Sequence, residues 1–156
     1  MSNWTTVNGM LYATHCDSRL RTGEKVLKEF VNKYKYLIPK GSEDTVNIKV
    51  IGDCAITGAY WHHNKEEADY YYGNAVIVIF GCLRDVDVAH MTLGFRKFAR
   101  QLRKEHGVRL GTFIAQDYYN TVTFRILNDK FENLSDENWY KDLSAEEIRM
   151  LDLLPF

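Results

Sequence analysis

Apolar and polar residues alternate in two rhythms along this chain. The stretch MLYATHC reads as a strand from about Met10 to Cys16. In TGEKVLKEFVNKYKYLIPKG the apolar positions Val26, Leu27, Phe30, Val31, Tyr34, Leu37 and Ile38 recur at helical spacing. Thr22 is the expected N-cap of that helix, Glu24 lies in its first turn, and Pro39 with Gly41 stop it. Val46, Ile48 and Val50 then alternate with polar residues, the mark of a half-buried strand. Gly52 and Asp53 are expected to form a bulge or turn, after which the strand resumes to Trp61. His62 to Asp69 is polar and reads as a hairpin loop. YYYGNAVIVIFGCL is unbroken β-branched and aromatic sequence, as expected of a central strand covered on both faces.

The second helix is DVDVAHMTLGFRKFARQLRKEHG. Its apolar stripe is Val88, Met91, Phe95, Phe98 and Leu102, Asp85 or Asp87 caps it, and Gly107 ends it. RLGTFIAQDYYNTVTFRIL is β again, either one long bulged strand or a hairpin around Asp117 to Asn120. A polar tail follows from about residue 128, and then SAEEIRMLDLL, where Ser144 and Glu147 make a capping-box pattern. The order β-α-β-β-α-β plus a terminal helix predicts one α+β domain over 1–156. Its expected fold is ferredoxin-like, an antiparallel sheet with both helices on one face. The other face must be covered by the tail or by a partner subunit, or else bind something.

Totals narrow the function classes. The 156 residues are enough for a real core. A net charge of -1 gives no overall pull toward nucleic acid or membrane. Cys16, Cys54 and Cys82 are odd in number and widely spaced, which is no disulfide framework and implies a reducing, cytoplasmic setting. MSNWTTVNG has neither a basic start nor an apolar run, so it does not read as a signal peptide. AVIVIF is too short to span a bilayer.

The candidate chemistry is sparse. His62 and His63 with Glu66, Glu67 and Asp69 offer metal ligands, but without recognisable zinc spacing they read as a solvated loop, so no metal is expected. His90-Met91-Thr92 is a single His-x-Thr, whereas two-histidine phosphoesterases need a facing pair on strands. Arg96, Lys97, Arg100, Arg103 and Lys104 crowd the second helix over 88–106. They are either a phosphate grip or the exposed face of an amphipathic helix. No phosphate-binding glycine loop and no Gly-x-Ser-x-Gly elbow occurs. What remains is an aromatic and acidic strip: Tyr60, Trp61, Tyr70, Tyr71, Tyr72, Tyr118 and Tyr119, placed at the ends of strands expected to be neighbours. Such a strip suits a flat heteroaromatic ligand carrying positive charge. Cross-strand aromatic packing accounts for the same residues equally well.

Three short segments resemble a known family. These are Gly58-Ala59-Tyr60 in ITGAYWHH, the glutamates Glu66 and Glu67 downstream of it, and Gln116-Asp117 in IAQDYYNTVTF. Together with the element order over about residues 10 to 127, they are similar to the small phage S-adenosylmethionine lyases, long called hydrolases. Two departures stand out. The residues after Gly-x-Tyr are aromatic and histidine-rich here, and the acid after Gln116 is aspartate where the family carries glutamate. The resemblance implies a cofactor-free reaction in which the substrate's own carboxylate attacks Cγ. The products are homoserine lactone and methylthioadenosine, and the effect is to deplete the methyl donor of host restriction. It implies Tyr60, Trp61 and Tyr71 as an aromatic wall, Glu66, Glu67 or Asp117 as the catalytic anion, and Gln116 as a polar positioning contact. It also implies a homotrimer with sites between subunits. A non-catalytic phage protein that binds a host protein or nucleotide, and a nucleic-acid module led by the basic helix, are the alternatives.

Overall fold

A computed structural model describes residues 3–17, 23–43, 46–52, 59–60, 71–127, 130–135, 139–141 and 143–153. The first strand, β1, runs over Trp4–Asp17 and is twice as long as the apolar pattern alone indicates. Its first half is polar in sequence yet half of it faces the core. Thr5 is fully buried, and its hydroxyl donates to the Val86 carbonyl at 2.6 Å, so the polar atom keeps a partner in an apolar place.

Helix α1 covers Gly23–Tyr34 and passes into a 3₁₀ turn at Lys35–Leu37. The stop has a local cause. Ile38 precedes Pro39, and the proline ring disfavours helical backbone there; Ile38 sits at φ −87°, ψ 120°. The expected cap Thr22 lies outside the described residues. β2 follows at Val46–Ile51, a two-residue strand β3 at Ala59–Tyr60, and β4 at Tyr71–Arg84. Between β4 and the next helix, Asp85 takes a positive φ of 64°, a conformation that Asp and Asn tolerate better than most residues.

Helix α2 spans Val88–Glu105, capped by the side chain of Asp87. β5 (Val108–Gln116) and β6 (Thr121–Leu127) form the hairpin at Asp117 to Asn120, which settles the choice between hairpin and single bulged strand. β7 (Lys130–Asn133) pairs with β6, and α3 covers Ala145–Leu153. In α3's first turn Ser144 N donates to Glu147 Oε1 at 3.1 Å and Glu147 N donates to Ser144 Oγ at 3.2 Å, the reciprocal box its sequence predicts.

The seven strands form one antiparallel sheet in the order β2-β4-β1-β5-β6-β7, with β3 added beside β4. One face carries the core. Val7, Leu11, Ala75, Ile77, Phe113 and Phe124 meet Leu27 and Phe30 of α1 and Met91, Phe95 and Phe98 of α2. Each large side chain buried there contributes on the order of 1.5–3 kcal/mol by leaving water. Phe95 and Phe113 stack at 4.1 Å over Gly9, where an added Cβ would come within 3.1 Å of both rings. Gly94 lets α2 approach the 3₁₀ turn, since a Cβ there would meet Pro39 Cδ at 2.5 Å and the Leu37 carbonyl at 2.6 Å.

Helix α3 lies on the helix side as well. Leu143 and Ile148 pack on Ala89 and Leu93 of α2, while Trp139 meets Phe124 edge-on at 5.4 Å. The described part of the tail therefore leaves the second sheet face bare. Across five strands that face presents Ile51, Val76, Tyr12, Leu110 and Leu127 in direct register. Met10, Phe80 and Ile114, all exposed, extend the same apolar surface.

Candidate functional site

The expected site residues fall at two places. The first is the end of the sheet where β1 finishes and β4 begins. There β3 adds to β4, with Tyr60 opposite Tyr71 and Ala59 opposite Tyr72. On its other side Tyr71 pairs with Asp17 of β1, and Tyr72 with Cys16. Adjacent strands lie about 4.8 Å apart, so Asp17, Tyr71 and Tyr60 form a contiguous row across three strands. Trp61 follows Tyr60 directly in the chain; it lies outside the described residues, as do Glu66, Glu67, His62 and His63.

The second place is the β5–β6 hairpin. Gln116 ends β5, exposed, opposite Thr6 of β1 and Thr121 of β6. Its backbone carbonyl accepts from the Thr6 hydroxyl at 3.2 Å. Asp117 organises the turn. Its Oδ1 accepts from Tyr119 N at 2.8 Å, from Asn120 N at 2.6 Å and from Asn120 Nδ2 at 3.4 Å, and its own N–H donates to the Asn120 carbonyl at 2.9 Å. This is an Asx turn, in which the side chain stands in for a backbone acceptor. One carboxylate oxygen of Asp117 is thus committed to the hairpin. Beyond it Tyr118 and Tyr119 stand out into solvent, 88% and 81% exposed, edge to face at 4.9 Å.

Register decides how the two places relate. Gln116 is level with Thr6, and Tyr71 is level with Asp17, eleven residues further along β1. At roughly 3.3 Å per residue that is about 36 Å, the length of the sheet. The sequence-level strip, which set Tyr118 and Tyr119 beside Tyr60 and Tyr71, is therefore split. The structure joins Tyr60 to Tyr71 and Gln116 to Asp117, and keeps the pairs at opposite ends of one chain. Among the described residues, two grooves elsewhere hold none of these. One, about 310 Å³, lies between α1 and edge strand β2 and is lined by Val31, Asn32, Lys35, Ile38, Val46 and Ile48 among others.

Other candidates resolve differently. His90 sits in the first turn of α2 rather than on a strand, and Thr92 is fully buried, so His90-x-Thr does not present a strand-borne phosphoesterase pair. In the basic helix the Arg96 guanidinium lies over the rings of Phe131 at 4.7 Å and Phe124 at 5.8 Å. That cation serves β7 and the core edge. Among the described residues no group of three or more His, Cys, Asp or Glu is placed to hold a metal ion. No described helix is long and apolar enough to cross a membrane.

Sequence reasoning also passed over a polar cluster. His90 lies between Asp87 and Glu147, with ring nitrogens 2.7 Å and 3.0 Å from their carboxylates. Both capping motifs were legible; that one imidazole bridges them was not, because Glu147 is 57 residues away from His90 in the chain.

No family model and no curated protein matches this chain. The chain is similar to a solved structure of a phage SAM lyase in complex with S-methyl-5'-thioadenosine. The likeness covers 86% of this chain and 92% of that one, at 12% identity and a TM-score of 0.38.

Proposed function

We propose that this chain is a phage-type enzyme that degrades S-adenosylmethionine to methylthioadenosine and homoserine lactone. The observation that carries the reading is the register of β3 on β4. It sets the tyrosine of Gly58-Ala59-Tyr60 directly beside Tyr71, as the resemblance expects of a substrate wall, with Asp17 on the far side of Tyr71. The strand order β2-β4-β1-β5, with antiparallel neighbours, supports reading the core as a ferredoxin-like fold extended by β6 and β7.

The chemistry asks little of the protein. The substrate's carboxylate oxygen forms a bond to Cγ, the Cγ–S bond breaks, and its electron pair neutralises the sulfonium. The leaving group is already activated, so the gain comes from folding the substrate into the attacking conformer and excluding water. Tyr60, Trp61 and Tyr71 hold the adenine and the sulfonium, a cation that aromatic faces attract. Glu66, Glu67 or Asp117 binds the substrate ammonium, and Gln116 orients the polar end.

Because Gln116 and Asp117 stand about 36 Å from Tyr60 within a chain, the site in this reading forms between subunits. The hairpin of one meets the aromatic end of another, within a homotrimer. The bare apolar row Ile51, Val76, Tyr12, Leu110 and Leu127 supports an assembly that covers it, since exposed patches of this kind mark interaction surfaces. The implied setting is the cytoplasm of a phage-infected host, and the role is anti-restriction.

The same bare face favours a second reading, a non-catalytic phage protein that binds a host protein there. Incubation of the purified protein with S-adenosylmethionine and no additives, followed by chromatography, separates the two. Methylthioadenosine with homoserine lactone is the expected result. Unchanged substrate at high protein concentration overturns the enzyme reading.

A further inference from the structure

His90 stands between two carboxylates that each cap a helix. Asp87 is the N-cap of α2; its Oδ1 accepts from His90 N at 2.8 Å, while its Oδ2 lies 2.7 Å from His90 Nδ1. Glu147 closes the capping box of α3 with one oxygen, and its other, Oε2, lies 3.0 Å from His90 Nε2. Ionised carboxylates only accept, and both ring nitrogens donate only in the imidazolium. Neutral His90 satisfies one carboxylate and turns a lone pair on the other. Among the described residues a small apolar patch lies beside this link, with Leu143, Ile148 and Trp139 against Ala89 and Leu93.

We propose that His90 is a pH-operated latch for the C-terminal helix. The imidazolium locks the start of α3 to the start of α2, and the neutral ring releases α3 and bares Ala89 and Leu93. This latch is independent of the proposed enzymatic activity.

Among the described residues Asp87, on the same helix, and Glu147, on α3, are the charged groups that act on the ring. Asp85 in the preceding turn is engaged by Ser42 and Arg84. Glu146 and Arg149 line a separate shallow hollow on α3. Burial pushes the His90 pKa down, but the hydrogen bond and charge of Asp87, and then Glu147, outweigh it and hold the group above its ordinary 6.5. A raised pKa in the folded state places the stabilisation fully below the unfolded value and removes it as pH rises through the folded one. Glu147 is held below its ordinary 4.5, chiefly by the backbone and side chain of Ser144, so its share is present above 4.5 and is lost as pH falls through its lower folded value. The latch is closed between these limits.

The test follows His90 by its ring NMR signals and follows α3 by amide hydrogen exchange, corrected for intrinsic rates, at about pH 6 and about pH 9. The wild-type His90 midpoint is expected above 6.5. Protection of the 145–153 amides is expected to fall about tenfold at the higher pH, while β1 amides stay unchanged. In His90→Gln, α3 protection is expected to be low and independent of pH. Glu147→Gln keeps an acceptor for Ser144 N, so the cap survives while the His90 midpoint drops. Wild-type protection that does not change with pH, a His90→Gln variant that keeps the response, or an unmoved His90 midpoint in Glu147→Gln would each overturn the proposal.

Discussion

The two ends of the sheet are built in opposite ways. At the hairpin end the chain turns in four residues, and Asp117 spends an oxygen on three N–H groups to make that turn. At the other end β1 and β4 stay paired out to Asp17 and Tyr71, and among the described residues β3 joins them by two residues, Ala59 and Tyr60. The hairpin end is an exposed projection whose acid has a structural task. The Tyr60 end is a row of neighbours, Asp17, Tyr71 and Tyr60, and the candidate anions Glu66 and Glu67 lie further along the chain. A site that needs a wall and an anion draws naturally on both, and two chains can supply what one holds apart.

The largest break expected comes from the bare face. Leu110→Arg puts a charge on an exposed strand position, so folding is expected to survive, while assembly and turnover are lost together. Size-exclusion chromatography with an activity assay checks this; a monomer that still turns over contradicts the shared site. Next in size is Asp117→Asn. Asparagine still forms the Asx turn, so the melting temperature holds while turnover falls on the order of 100-fold, about 2.7 kcal/mol at the barrier. Glu67→Gln tests the other end by the same measure, and indifference to both substitutions would show the anion to be misassigned. Asp117→Ala removes the turn's acceptor as well and is expected to cost about 1 kcal/mol of stability by denaturant unfolding. Tyr118→Ser with Tyr119→Ser, at exposed positions, should stay within about 0.5 kcal/mol of wild type.

The ease of reading the sequence differs along the same line. Asp87, the box of Ser144 and Glu147, and the turn at Asp117 were legible because their chemistry is local. β7 was missed because only Phe131 of its four residues packs inward, against Phe124 at 4.6 Å, and one apolar residue makes no period. The first half of β1 was missed because Thr5 and Gly9 occupy core positions without looking apolar. The pairing of Tyr60 with Tyr71 followed from two β runs meeting near a loop. The distance of Gln116 from them did not, because it depends on which way β5 runs along a 14-residue β1. Register over such separations is set by the packed core and not by any local motif.

The most direct test of a site shared between chains is complementation. Glu67→Gln and Asp117→Asn proteins, each first shown to be impaired alone, are unfolded together, refolded as a mixture and assayed on S-adenosylmethionine. Recovered turnover is the predicted result, since a mixed assembly pairs one intact aromatic end with one intact hairpin. A mixture as inactive as its parts, in assemblies shown to contain both chains, would contradict it.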